Sequence, residues 1–147
     1  MTTAPFTKLS LATAQALIQS ALAFATEQRL KPLTVVVLDD GGHVIAAARQ
    51  DGASAKRFEI AHGKAHGAIA LGVGSRALMT RAETQAYFVS AVAEVTGPLI
   101  PVPGGVLLFD ASDQLLGAIG VTGDTSDADE AAAVHAATNA GLRPETG

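Results

Sequence analysis

The sequence predicts a single α+β domain in which helices flank an antiparallel sheet. Two stretches each have the pattern of a β-hairpin, because two short apolar runs are separated by turn residues. Segments with apolar residues at helical spacing precede, separate and follow these hairpins. The 147 residues match the size of one ordinary domain, and no internal repeat, linker or low-complexity block divides them. The predicted order is therefore α-β-β-α-α-β-β-α, with the core of the domain at residues 9–142.

The N-terminal half contains a helix, a hairpin and a second helix. Ser10 is a suitable N-cap for the first helix, and Pro32 prevents that helix from continuing. Asp40-Gly41-Gly42 supplies turn residues that tolerate positive φ, between a β-branched run and a returning strand. The predicted helices here are 11–29 and 56–71, and the predicted strands are 33–38 and 44–49.

The C-terminal half repeats this alternation after a turn that contains Gly72 and Gly74. Ser75 is predicted to cap a short helix, and Ser126 to begin a capping box that has Asp129 in the place of Glu. Gly141 is predicted to end the last helix. The predicted helices are 76–79, 83–94 and 126–139, and the predicted strands, joined by the turn 110–113, are 106–109 and 115–121.

The composition excludes several classes of function. A net charge of -4 argues against nucleic-acid binding, which needs a basic surface. The chain has no Cys, so disulfides, thiolate metal sites and a Cys nucleophile are ruled out. No apolar run is long enough to span a membrane, and the apolar stretch near the N-terminus is interrupted by polar residues, unlike a signal peptide. These observations predict a cytoplasmic protein that has no membrane partner.

The second predicted helix contains most of the candidate functional residues. Lys64 lies within its apolar arc. Burial of the ammonium there costs free energy unless it contacts a carboxylate or reaches a cleft. Two interpretations follow: a cation that binds an anionic ligand in a pocket, or a lysine at the edge of the core with its charge in water. Gly63 and Gly67, one turn apart, indicate close approach by another element, with a packed helix favoured over a ligand.

His62 and His66 are also one turn apart, on the flank away from Lys64. This spacing suits one metal ion or the edge of a haem, and Glu59 could be a third ligand. Without the Glu of a zincin helix, the same spacing also occurs on surfaces that face solvent or another subunit. If the protein is an enzyme, these two imidazoles are the candidate catalytic residues, as groups that transfer protons.

Charged residues also follow the second strand and begin the last helix. Arg49 can bind a carboxylate through two hydrogen bonds, and Asp51 lies beside it in sequence. Asp129 and Glu130 belong to an acidic group at the start of the last helix, where carboxylates are favoured. We expect these four residues, with Lys64, to contribute to a ligand site. An internal ion pair of Arg49 with Asp51 or Asp129 is the alternative.

In combination, five segments resemble the GlcG/HbpS family, which includes haem-binding proteins and the C-terminal domain of PduO-type proteins. The resemblance covers residues 11–142 and implies a profilin-like fold, homo-oligomers, and small-molecule pockets at or near subunit contacts. It makes haem a possible cofactor. The five segments are Val35–His43, Ala48–Ala53, Ile60–Ala65, Pro103–Val106 and Gly117–Gly123, the last followed by Asp129-Glu130.

The chain departs from the family at His66, where a small or hydroxyl residue is common, and at His135, where small residues are common. Three functions follow. The first is a protein that binds haem or a related tetrapyrrole, with an imidazole for iron and Arg49 or Lys64 for the propionates. The second is a lyase or isomerase for a small organic acid, in which Arg49 holds the carboxylate and His62 or His66 moves protons. The third is an oligomeric interaction module without its own chemistry.

Overall fold

The computed structural model describes residues 8–147, and within them the predicted α+β class is confirmed. The predicted order of elements is also confirmed, with one short strand added at the end. The elements are α1 (Leu11–Glu27), β1 (Thr34–Asp39), β2 (Val44–Arg49), α2 (Arg57–Leu71), α3 (Ser75–Thr96), β3 (Gly105–Phe109), β4 (Leu115–Thr122), α4 (Ser126–Asn139) and β5 (Arg143–Glu145). None of the helices in the described range is long and apolar enough to cross a membrane.

The five strands form one antiparallel sheet in the order β2-β1-β4-β3-β5. Side chains alternate between its two faces because successive residues of a strand point in opposite directions. On β1, Val35 and Val37 join the core beneath α1 and α4, whereas Val36 and Leu38 join the core beneath α2. The sheet is thus a middle layer with helices on both faces.

Helix α2 lies almost directly on the backbone of the sheet. A Cβ atom on Gly120 would stand 2.1 Å from the carbonyl oxygen of Ala61, and one on Gly105 would stand 2.2 Å from that of Lys64. Small residues on both surfaces permit this approach, as the low aromatic content of 4% suggests. The helix packs on β1, β3 and β4 but only marginally on β2. One face of β2 therefore remains open beside α2.

The outer face of α2 is covered by a loop and not by a helix, contrary to the favoured interpretation of Gly63 and Gly67. Ile100 packs against Gly63, where a new Cβ would stand 2.5 Å from its Cγ1. Leu99 packs against Gly67 in the same way, with its Cγ 2.8 Å from the position of a new Cβ. The proline-rich segment before β3 is thereby fixed on the helix.

Three local predictions need correction. The two helical pieces predicted at 76–79 and 83–94 are present within α3 (Ser75–Thr96), but they meet at a kink at Gln85, whose φ of -136° is not helical, and so the break lies later than predicted. The N-cap of α3 is Gly74, because the Ser75 hydroxyl is used elsewhere: it accepts from the Gly105 N–H at 2.7 Å. Helix α4 is capped by Thr125, which accepts from the Ala128 N–H, and not by Ser126.

Candidate functional site

The open face of β2 and the adjoining flank of α2 form a groove, which we call the α2–β2 groove. Ala47 pairs with Val36, a residue beneath α2, so alternate residues of β2 point toward the helix side of the sheet. Val44 and Phe58 are among the exposed large apolar residues of the described chain, with 47% and 37% exposure. Ala47, Arg49 and Phe58 line a cavity at one end of this groove. We define the rest of its floor by Val44, on the same face of β2, and the rest of its wall by His62 and His66, which follow Phe58 on α2.

Three ring side chains form the wall because they are spaced one helical turn apart on α2. The rings of Phe58 and His62 are stacked, with centroids 5.7 Å apart and planes 9° apart. The rings of His62 and His66 have centroids 5.4 Å apart and are tilted by 34°. The rise of the helix spreads this wall over about 12 Å. The result is an extended ring surface and not a compact cluster.

The imidazole of His66 is held in a defined orientation. Its Nδ1 lies 2.8 Å from the carbonyl oxygen of Pro98. A carbonyl oxygen can only accept a hydrogen bond, so Nδ1 carries the proton and Nε2 of the neutral ring has a free lone pair. Gly42 and Gly97 flank the ring edges, where their missing side chains leave space: a Cβ on Gly42 would stand 3.3 Å from His66 Cδ2. Nε2 is therefore the nitrogen whose lone pair is available to bind a metal ion.

His62 is held closer to its neutral form. Partial burial is the larger cause that lowers its pKa below the ordinary value of 6.5, and the nearby His66 lowers the pKa further. Both effects penalise a positive charge on this ring. A neutral imidazole keeps a lone pair for a metal ion or a proton.

Acidification should therefore destabilise the folded protein through His62. Above pH 6.5 both the folded and the unfolded chain hold this ring neutral, so its contribution to stability is fully present. As pH falls through 6.5 toward the lower folded pKa, the unfolded chain binds a proton first and stability is lost. We expect the urea midpoint of unfolding to decrease when the pH is lowered from about 7.5 to about 5.5, and this decrease to be smaller in His62→Gln than in the wild type. His135→Gln, whose ring packs on Phe24 of α1, is the matched control and should retain the wild-type difference.

The far end of the groove contains Arg49 and a cavity of about 280 Å³. Arg49 donates from Nη1 to the carbonyl oxygen of Ala53 at 2.9 Å. Within residues 8–147 no carboxylate lies within 4.0 Å of its guanidinium, so neither predicted ion pair, with Asp51 or with Asp129, is formed. The cavity is lined by Thr34, Ala47, Ala48, Arg49, Ala55, Phe58 and Glu59.

A second cavity, of about 430 Å³, lies on the other side of Arg49, toward α1. Asp51 and Gln50 line this cavity together with Arg49. Neither His62 nor His66 lines either cavity. The structure therefore brings Arg49 and Asp51 together and places the imidazoles farther along the groove.

Lys64 is not a cation of the groove, which corrects the pocket interpretation. Its side chain is 2% exposed and points into the sheet, where Nζ donates to the Val121 carbonyl oxygen at 2.9 Å and to Asp129 Oδ2 at 3.2 Å. Burial lowers the pKa of Lys64, and the Asp129 carboxylate opposes that shift. Asp129 is equally buried and also accepts from the Asp124 N–H at 2.9 Å. The pair joins α2, β4 and α4 inside the protein.

The remaining predicted residues are also used within the chain. Glu130 forms an ion pair with Arg76, with Oε2 3.0 Å from Nε, at the start of α3. Glu59 lies 3.9 Å from the Lys56 ammonium. No group of three or more His, Asp or Glu residues that could hold a metal ion exists in the part of the chain that the structure describes. Glu59, His62 and His66 therefore do not form a three-ligand site.

Two residues in or beside the groove were not predicted. Thr34 lines the cavity, and its buried hydroxyl has no hydrogen-bond partner in the described structure. Arg57 begins α2 and donates from Nη1 to Thr122 Oγ1 at 3.0 Å. The signals in the sequence were weak: a hydroxyl residue within a β-branched run, and one more basic residue at a helix start.

A comparison with known proteins adds to this geometry. The sequence model of the family described as "Haem degrading protein HbpS-like" matches residues 9–138. The protein ORFY of Klebsiella pneumoniae is 25% identical, with a TM-score of 0.81 and coverage of 95% of both chains. A double mutant of HbpS from Streptomyces reticuli is 25% identical, with a TM-score of 0.78, covering 95% of this chain and 90% of that one. A PduOC:heme complex is 22% identical, with a TM-score of 0.82, covering 92% and 96%. Among curated proteins, no sequence matches this chain significantly.

Proposed function

The chain belongs to the HbpS-like family, and from that membership we propose that it binds haem or a related tetrapyrrole in the α2–β2 groove. The family description refers to haem degradation, and a protein must bind haem before it can act on it. The relative whose structure is a complex with haem has the same fold at 22% identity, which supports the proposal at the level of the scaffold.

The orientation of His66 is the observation that carries this proposal. The bond from Nδ1 to the Pro98 carbonyl fixes the tautomer and leaves Nε2 as a ligand atom, an arrangement typical of imidazoles that bind metal. A single imidazole, that of His66, would be sufficient to hold haem iron, so no cluster of three ligands is needed. The two residues beside the Cδ2 and Cε1 edges of the ring, Gly42 and Gly97, have no side chain.

The rest of the groove is suited to a long, flat ligand with acidic ends. Phe58 and the neutral His62 supply ring surface along the wall. Arg49, free of carboxylate partners in the described chain, supplies a cation at the far end. Neither His62 nor His66 lines the cavity at Arg49, so a small organic acid held there would not contact either imidazole. This arrangement disfavours the lyase or isomerase alternative.

We include self-association in the proposal. The cavity of about 280 Å³ lies at the lower limit for sites that enclose a ligand, and one side of the groove is open. A second copy of the chain placed over Val44 and Phe58 would cover apolar surface and enclose the ligand. Asp51, which lines the neighbouring cavity, and Glu130, near the start of α3, are the remaining predicted ligand residues and stay secondary candidates.

Titration with hemin tests the proposal. We expect a saturable, sharpened Soret band with the wild type and its loss, or at least tenfold weaker binding, with His66→Ala, because the imidazole that would hold the iron is removed. His62→Ala should weaken binding less, since it removes ring contact only. His135→Ala is the control in the opposite helix layer and should bind as the wild type does. An unchanged hemin spectrum on addition of the wild type would refute haem binding. Equal binding by His66→Ala and the wild type would refute His66 as the residue that holds the iron.

A further inference from the structure

We infer that the Arg49 end of the groove is a carboxylate-binding site formed by Thr34, Arg49 and Arg57. The inference rests on the proposed function in placing the ligand in this groove, and it names the chemical group that the far end takes. That carboxylate belongs to a propionate of the tetrapyrrole or to a separate small carboxylic acid. Thr34 and Arg57 are the residues that this inference adds.

The first observation is the hydroxyl of Thr34. The residue is 1% exposed, and Oγ1 is the one buried side-chain polar atom of the described chain without a hydrogen-bond partner. Thr34 points to the α2 face of the sheet because it is two residues before Val36, and there it lines the cavity. Buried hydroxyls in proteins almost always have a partner, so an orphan beside a cavity indicates a missing acceptor or donor.

The second observation is the row of residues that crosses the sheet at this point. Thr34 pairs directly with Arg49 on β2 and with Thr122 on β4. Arg57 reaches the same row from α2, with Nη1 3.0 Å from Thr122 Oγ1 and Nε 3.0 Å from Ser54 Oγ. Thr34 therefore lies in the row between Arg49 on one side and the Arg57–Thr122 contact on the other.

These guanidinium groups lack counter-ions. No carboxylate in residues 8–147 lies within 4.0 Å of Arg49 or Arg57, although five other basic side chains and one imidazole have such partners. The acidic residue that lines the cavity, Glu59, is 58% exposed and lies beside Lys56. Neither arginine is thus in contact with a carboxylate of the described chain.

The third observation is the space and polarity of the cavity. Ala47 and Ala55 line it with small side chains, so a carboxylate has room beside Arg49. The N-terminus of α2 lies at the same place, and its N-cap, Lys56, makes no side-chain capping bond. Free N–H groups at a helix start favour an anion. A hydroxyl residue, an arginine and the start of a helix therefore lie at the cavity, a combination that suits a carboxylate.

Thr34→Val tests the site because it removes the hydroxyl and keeps the shape. The apo variant should be more stable, with Tm raised by about 3 °C, since an unpaired buried polar group is lost. It should bind a carboxylate roughly tenfold or more weakly. Arg81→Gln, on α3 over Phe88 and away from the groove, is the matched control and should bind as the wild type does.

Two probes separate the sources of the carboxylate. Sodium succinate, followed by calorimetry, reports a free acid; haem and its dimethyl ester, followed by the Soret band, report a propionate. Tighter succinate binding by the wild type than by Thr34→Val supports the site with a free acid, even if haem does not bind and the proposed function fails. If Thr34→Val binds haem more weakly than the wild type but binds the dimethyl ester equally well, the result supports the site with a propionate as its carboxylate. If Thr34→Val binds every probe as the wild type does, the inference is overturned, while loss of haem by His66→Ala alone would leave the proposed function in place.

Discussion

Replacement of Asp129 by alanine should lower the free energy of unfolding by about 3–5 kcal/mol, because it leaves the Lys64 ammonium buried without a counter-ion. Both side chains are 2% exposed, so water cannot take over the lost contact at 3.2 Å. The change also removes the acceptor of the Asp124 N–H before α4. Urea unfolding followed by circular dichroism at neutral pH measures the loss.

Two controls separate loss of the ion pair from general damage to α4. Glu130→Ala removes the adjacent carboxylate, whose partner Arg76 is one-third exposed, and should cost less than about 1 kcal/mol. The double variant Lys64→Met, Asp129→Leu removes both charges and should unfold within about 2 kcal/mol of the wild type. An Asp129→Ala variant that is as stable as Glu130→Ala would contradict a buried, paired charge.

Introduction of one methyl group at Gly120 should be almost as damaging. The Cβ of Gly120→Ala would stand 2.1 Å from the Ala61 carbonyl oxygen and 3.0 Å from the Ala65 Cβ, so helix α2 would have to move off the sheet. Backbone atoms cannot rotate away as a flexible side chain can. We expect a loss of about 3 kcal/mol or more in the free energy of unfolding, at the upper end for overpacked cores. Thermal unfolding monitored by circular dichroism measures it.

Gly72→Ala provides the comparison for Gly120→Ala. Gly72 ends α2 with φ 73°, and a Cβ there would meet nothing within 4 Å. The substitution carries only the cost of a left-handed backbone, about 1 kcal/mol. Equal losses for the two variants would mean that α2 does not press on the sheet at Gly120.

The regular elements could be predicted because local signals agree with the tertiary structure. The β-branched run of β1 is buried on both faces, and the periodic apolar residues of α1 face the core. Strand β5 could not be predicted, since Arg143–Glu145 has no apolar pattern and extends only through its pairing with β3. The position of the kink at Gln85 was likewise not predictable, because α3 contains no Pro or Gly that would mark it.

The candidate site was predictable only in part. Helical spacing placed His62 and His66 on one flank of α2, as observed. It also placed Lys64 in the apolar arc, but Asp129 lies 65 positions away, so the sequence did not distinguish an internal partner from a ligand. The carbonyl of Pro98 beside His66 and the pairing of Thr34 with Arg49 depend on the packing of distant segments. The sequence identified the charged and imidazole side chains, but it did not identify the groups that each of them contacts.

The strand order has a consequence for polymerisation. Within the described sheet, β2 is an outer strand of six residues without proline, and its unpaired backbone groups can accept another strand. The opposite outer strand, β5, has three residues including Pro144, and the chain just beyond it is tied to α3 by the bond from the Arg76 N–H to the Thr146 carbonyl. Edge-to-edge addition through β2 would therefore stop at two copies. Both outer strands of the joined sheet would then be β5, which is too short to pair with a further copy, so the sheet cannot extend into a fibre.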